Sequence, residues 1–312
     1  MKVIKLDNTK RSMFKSCKRK YQISEILGYK SDFGSTAIRL GVAYHGMQEG
    51  FAHFVKAVKE TGDELNLEQA LAAGIKHGKK KWDKECELKT FAPDYRTFEA
   101  CCQLFANYHI YYANDLAFIE IVETEQKFEC MIEPENEVER AIMPSGYELV
   151  FTGRIDLQVK MDGMKWIFDH KSTSQALSIQ GSRLNRSAQL KGYSYAGERI
   201  LDFKPEGCLV ALAHISSYKS KKTGEYGDVK TDFLRVPQIF SKEDLAQWKL
   251  SFIDTYREIV FSLEHDWWPM NDDSCYQYGQ CQFARICEQN RPLDETNFTG
   301  YHIEHWDVLD ED

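Results

Sequence analysis

Two aspartates and a lysine, thirteen and then two residues apart, form a set that could do chemistry: Asp156 closes Gly153-Arg154-Ile155-Asp156, and Asp169 and Lys171 lie in Phe168-Asp169-His170-Lys171. Two carboxylates brought together offer hard oxygen ligands, half of a Mg²⁺ or Mn²⁺ site. On a strand, residues two apart share a face, so Asp169 and Lys171 point the same way. A carboxylate-held cation beside an ammonium suits phosphodiester hydrolysis: the ion activates water, and the ammonium orients it or neutralises developing charge. The bland alternative is a solvated surface pair, worth about 0–1 kcal/mol. Against it stands the apolar Ile167-Phe168 leading into Asp169, which reads as a buried strand emerging at its end, where a charge needs a partner.

A hairpin must position these groups. Runs 148–159 and 164–171 both read as strands, and Asp162-Gly163 between them is a strong hairpin signal that sets Asp156 beside Asp169. Before the hairpin, apolar spacing predicts helices over about 35–60, 66–85 and 94–116, a helical subdomain spanning 35–116, then a strand over about 118–132. Residues 134–145 read as a polar connection. After the hairpin come a helix over about 185–201, a buried strand from Gly207, a basic turn-rich loop (Ser217–Asp228) and an edge strand in Thr231–Val236. Ser241 and Asp244 suggest a capping box opening a long helix to about Glu264.

Other residues could join the site. His45, in Gly41-Val42-Ala43-Tyr44-His45-Gly46, could ligate a divalent ion, or simply be a core or surface histidine. Each glycine costs the helix roughly 1 kcal/mol relative to Ala, which makes sense if something approaches closely. Gln189 and Tyr193 are four apart on one helical face and could contact a phosphate or a metal-bound water; a polar face with a packed tyrosine is the plainer alternative. Glu123 and Glu125 would share a strand face, and Glu125 could support the site or lie on an exposed surface. Cys275, Cys281 and Cys287 are spaced by six among aromatics; three soft ligands want a fourth, and Cys17 is the best candidate. That pattern admits either a [4Fe–4S] cluster or Zn²⁺. Cys86, Cys101, Cys102, Cys130 and Cys208 read as buried small hydrophobes.

Composition bounds the rest. At 312 residues, 43% hydrophobic and 28% charged, the chain fits a soluble globular protein. It has no apolar run of eighteen and no apolar signal core after Met1, so a cytoplasmic protein without a membrane span is expected. Nine cysteines then suggest reduced thiols or metal binding. The net charge of −8 argues weakly against nucleic acid, yet residues 1–31 hold nine Lys/Arg against Asp7 and Glu25. Basic residues recur from Lys171 to Arg199 and at Lys219, Lys221 and Lys222, while residues 292–312 hold seven Asp/Glu and no Lys/Arg. A basic path on an acidic protein is compatible with DNA. No G-x-x-x-x-G-K-[ST] phosphate loop is present, so a helicase partner would be a separate chain.

With His45, Asp156, Asp169-His170-Lys171, Gln189/Tyr193 and the four cysteines in this order, the chain resembles the PD-(D/E)XK nuclease superfamily from about Cys17 to Cys287. Within it, the sequence is similar to the RecB/AddB-type branch, which includes CRISPR-adaptation nucleases and phage exonuclease relatives. There a helical GxxxH precedes the hairpin, then come a GRID-type strand end, a D-x-K strand end and a Q-x-x-x-Y helix. One upstream cysteine joins three near the C-terminus around a [4Fe–4S] cluster. The resemblance implies an α/β fold with a restriction-endonuclease-like mixed sheet flanked by helices, in one domain over 1–312, with the cysteine region and acidic tail at 265–312. It implies His45, Asp156 and Asp169 as metal ligands, the His170 backbone carbonyl as a further one, and Lys171 as catalytic. Gln189 and Tyr193 would hold DNA or position Lys171, and Cys17, Cys275, Cys281 and Cys287 would hold the cluster. The expected activity is a Mg²⁺- or Mn²⁺-dependent DNase, exonuclease before endonuclease, acting on single strands or free ends in recombination, repair or phage DNA processing. It would work in a bacterial, archaeal or phage-infected cell, with a possible helicase, recombination or CRISPR-adaptation partner. A catalytically idle DNA-binding or assembly subunit, and a zinc-stabilised interaction protein, are the alternatives.

Overall fold

A computed structural model describes residues 2–277, 279–289, 298–306 and 309. In chain order the elements are β1 (Lys2–Leu6), α1 (Asn8–Ser16), α2 (Lys18–Tyr21), β2 (Tyr29–Ser31), α3 (Thr36–Thr61), α4 (Leu67–Leu88), α5 (Phe98–Tyr111), β3 (Glu120–Met131), α6 (Glu137–Ile142), β4 (Tyr147–Met161), β5 (Met164–Thr173), α7 (Leu177–Arg183), α8 (Ala188–Ile200), β6 (Gly207–Ser216), β7 (Lys230–Gln238), α9 (Lys242–His265), α10 (Ala284–Glu288) and β8 (Tyr301–Ile303). The chain divides into two compact units: Met1–Phe33 with Lys127–Arg154 and Ser241–Asp312, and Gly34–Gln126 with Ile155–Phe240.

The second unit carries the hairpin. Asp162 and Gly163 take φ of 52° and 77°, the left-handed pair of a tight hairpin turn, and Met161 then pairs with Met164. Pairing continues to Leu157 against Phe168, so Asp156 and Asp169 follow at the next step. β5 runs parallel to β6, and β6 antiparallel to β7, so the sheet is mixed. Among the described residues β7 pairs only with β6, and Pro237 near its end suits an edge. Against this sheet α3, α4 and α5 bury Tyr44, Met47, Phe51, Leu104 and Phe105 with Phe168. Each such side chain contributes about 1.5–3 kcal/mol on leaving water. Glycines let α3 and α4 approach closely: a Cβ at Gly78 would meet the Ala43 carbonyl oxygen at 2.7 Å, and one at Gly46 the Gly78 Cα at 3.3 Å.

The first unit pairs β1 in parallel with Tyr147–Phe151 of β4 and β2 antiparallel with β8. The expected capping box is present at Ser241 and Asp244 and opens α9. The polar connection at 134–145 instead contains α6: Asn136 accepts from the Glu139 N–H, and Glu139 pairs with buried Lys249 at 2.9 Å. Local capping thus wins over polar composition there. Most of the acidic stretch 292–312 lies outside the described residues. Among the described residues, no helix is long and apolar enough to cross a membrane.

Candidate active site

β5 is flanked by β4 and β6, so its residues are buried until the strand ends. Asp169 sits at that point, 2% exposed, with Lys171 two residues on and more open. The Lys171 Nζ lies 2.8 Å from Asp169 Oδ2 and donates to Gln189 Oε1 at 2.7 Å. Gln189 Nε2 in turn donates to the Tyr193 hydroxyl at 3.2 Å, an i,i+4 contact on α8, whose first turn is capped by Ser187. From α3, His45 brings Nδ1 to 3.2 Å from Asp156 Oδ2. The His170 N–H reaches the same Asp156 oxygen at 3.4 Å. The structure therefore brings His45, Asp156, Asp169, Lys171, Gln189 and Tyr193 together as two linked sets.

The electrostatics follow from these pairs. Burial alone would raise Asp156, but His45, then Lys171, outweigh it and hold its pKa at about 2. Burial would lower His45, and the Asp156 carboxylate reverses that, so the imidazole titrates above its ordinary range. Asp169 is pushed up by burial; Lys171 opposes the rise and Asp156 adds to it. Lys171 titrates above its ordinary value because Asp169 more than offsets burial. Asp156 is held low and Asp169 is pushed up, which is how two adjacent acids share their titration.

The His170 ring lies on the core side, 4.8 Å from Phe168 and 5.6 Å from Tyr108, and burial lowers its pKa to about 3. That leaves only its backbone for the site. Glu125 lies in β3 with φ of 49°, which interrupts the extended backbone. The alternation that would put Glu123 and Glu125 on one face is broken there, and Glu123 pairs with Lys56 at 3.3 Å. Gly41 lies one turn from His45; a Cβ there would meet only the Ser172 Oγ, at 3.7 Å, so this glycine leaves open space rather than allowing a close protein contact. Sequence reasoning missed Arg235, whose guanidinium stacks 3.7 Å from the Tyr112 ring, pairs with Asp115, and lies 5.3 Å from the Phe168 ring. Its signal was the two-residue spacing from Phe233 on an edge strand.

In the first unit the four expected cysteines share a neighbourhood. The Asn271 N–H points at Cys17 Sγ at 3.4 Å, and the Cys281 N–H donates to the Cys275 carbonyl at 2.7 Å. Burial, then the Cys281 and Cys17 thiols, push Cys275 up. Cys287 is pushed up to about 11 by burial, with Arg19 opposing and Cys281, Cys17 and Cys275 adding to the rise. The other five include Cys101, Cys130 and Cys208, which are buried as expected, and Cys86, which is exposed on α4.

Neither expected metal centre is preformed: among the described residues, no three His, Cys, Asp or Glu side chains stand together as a metal-holding group. At the strand end each carboxylate has its own partner, His45 for Asp156 and Lys171 for Asp169. The donors there still fit a hard divalent ion in type, two carboxylates and an imidazole on adjoining elements. The four thiols fit a soft thiolate centre in type and number.

A mixed sheet flanked by helices, with an acid-acid-lysine set where a central strand emerges, defines a restriction-endonuclease-like α/β protein. The model of the PD-(D/E)XK nuclease superfamily matches residues 9–288, and the chain belongs to that superfamily. No curated protein matches the sequence.

Proposed function

We infer that this protein is a divalent-metal-dependent deoxyribonuclease of the RecB/AddB-type branch, an exonuclease or end-processing enzyme acting on single strands. The observation that carries this is the chain of contacts from Asp169 through Lys171 and Gln189 to Tyr193, next to the His45–Asp156 pair, in a member of a nuclease superfamily. His45, Asp156, Asp169 and the His170 carbonyl would hold Mg²⁺ or Mn²⁺. That ion, when bound, would supply Lewis acidity to activate water. Lys171 presents its ammonium to the attacked phosphate and neutralises charge as it develops. Gln189, braced by Tyr193, fixes the lysine's position.

Cys17, Cys275, Cys281 and Cys287 would hold a structural [4Fe–4S] cluster, with Zn²⁺ as the competing occupant. The support is that Cys17 shares a neighbourhood with a triplet that begins 258 residues downstream. DNA is the partner, and a separate helicase, recombination or CRISPR-adaptation protein would deliver it.

The test is cleavage of end-labelled single- and double-stranded DNA. Ladders that appear with Mn²⁺ or Mg²⁺, vanish with EDTA and grow from one end support the proposal. Absence of cleavage under every divalent metal overturns it in favour of an idle subunit.

A further inference from the structure

The basic loop between β6 and β7 is an ordered hairpin, and the site described above does not use it. Lys219 pairs opposite Tyr226, the Gly227 N–H donates to the Tyr218 carbonyl at 2.9 Å, and the Ser220 N–H to the Glu225 carbonyl at 2.8 Å. The backbone pairing of the strands thus continues beyond the sheet. The side chains alternate cations with aromatic faces. Tyr218 is 71% exposed. The Lys219 ammonium lies 5.0 Å above the Tyr226 ring, and that ring is 5.5 Å from the Tyr95 ring, which Arg96 covers at 4.5 Å. Between Ser216 and Lys230 the sequence holds Lys219, Lys221 and Lys222 against Glu225 and Asp228, a local positive excess on a chain of net charge −8.

This surface connects to the strand that carries Asp169 and Lys171. Lys171 pairs with Leu212 in parallel β6, six residues before Tyr218. At strand rise that is about 20 Å along the sheet. Tyr95 bridges the interval: its hydroxyl donates to the Ile215 carbonyl at 3.2 Å, and Ser174, three residues beyond Lys171, lies beside it. Exposed aromatic rings interleaved with lysines bind a single strand, because unpaired bases present π-faces to stack and phosphates to neutralise. A duplex hides its base faces.

We propose that the Tyr218–Tyr226 hairpin, with Tyr95 at its base, is a stacking platform for unpaired DNA that feeds the strand end at Asp169 and Lys171; this rests on the nuclease reading. The hairpin binds the strand while taking no part in the chemistry.

The test is fluorescence anisotropy of a labelled oligothymidylate in EDTA, where binding is read without cleavage, across a salt series. The Tyr218→Ala/Tyr226→Ala double variant is expected to bind roughly tenfold more weakly, and Tyr218→Phe/Tyr226→Phe like wild type. Lys221→Ala/Lys222→Ala should reduce the salt slope by about 1.4, from about 0.7 per phosphate contact on a single strand. Circular dichroism of each variant checks folding, which these exposed positions should not disturb. Wild-type-like affinity and slope in both alanine doubles, or equal weakening by the phenylalanine double, overturns the platform. Failure of the hydrolytic proposal would show separately, as wild-type protein that binds the oligonucleotide but never cleaves it.

Discussion

Lys171→Met removes one charge, keeps the side-chain volume, and tests two consequences of one geometry. The ammonium is 2.8 Å from an Asp169 oxygen whose residue is only 2% exposed. At an effective dielectric of 20 that pair is worth about 6 kcal/mol in gross Coulomb energy, most of it offset by the cost of desolvating both groups. Removing one partner strands the other, which costs about 3–5 kcal/mol for a buried pair. Here the figure falls at the low end, about 3 kcal/mol, because the Lys171 side chain is 31% exposed and water screens the pair. Cleavage should fall much further than stability implies. Loss of one preorganised charge at a developing oxyanion costs about 100- to 1,000-fold in rate. Single-turnover cleavage of end-labelled single strands with Mn²⁺ reads the first effect, and urea unfolding the second. Adding Asp169→Asn to Lys171→Met should restore most of the lost stability while leaving cleavage absent, since the stranded acid is gone. A single variant that cuts within tenfold of wild type, or a double variant no more stable than the single, would refute the coupling.

Three further outcomes follow from other parts of the structure. His109 and His170 are buried beside one another, both well below their ordinary value of 6.5 and His170 at about 3; folding therefore excludes protons that the unfolded chain binds below pH 6.5. Stability should fall as pH drops through that point, by about 1.4 kcal/mol per unit for each histidine, and His109→Gln should remove one histidine's share of the slope in urea titrations at pH 5.5 and 7. Gly78→Ala forces a Cβ to 2.7 Å from the Ala43 carbonyl, so its urea midpoint should drop by about 1–3 kcal/mol equivalent, whereas Gly62→Ala, at φ 76° with nothing within 4 Å, should cost only its backbone strain. The proposed [4Fe–4S] assignment of the thiols predicts that anaerobically purified protein is brown and that Cys281→Ser loses the visible absorption and iron together; colourless wild-type protein carrying zinc would assign the thiols to Zn²⁺ instead.

The hairpin was legible because a two-residue Asp-Gly turn and a two-residue side-chain period leave one register in which the apolar faces match. Once that register is set, Asp156 and Asp169 must meet. Helices α3, α4 and α9 were legible from apolar spacing and, for α9, from its cap. Short elements were not. β1 and β2 gain their order from distant partners, Tyr147–Phe151 and Tyr301–Ile303, and local sequence does not encode distant pairing. The shared face expected for Glu123 and Glu125 fails for a related reason: periodicity assumes extended backbone throughout, and one residue at φ 49° removes that assumption. The partners of His45 and Lys171 were foreseeable in kind, but that each carboxylate would take its own base was not, because side-chain pairing depends on approach distances that spacing alone does not set.

Crystals of the protein soaked in Mn²⁺ and measured at the manganese absorption edge locate the ion without reference to activity. An anomalous peak in coordinating contact with Asp156, Asp169 and His45 is the expected result. A peak elsewhere, or none at the strand end while the crystals remain ordered and the ion is in excess, would contradict a metal-assisted hydrolytic site in this fold.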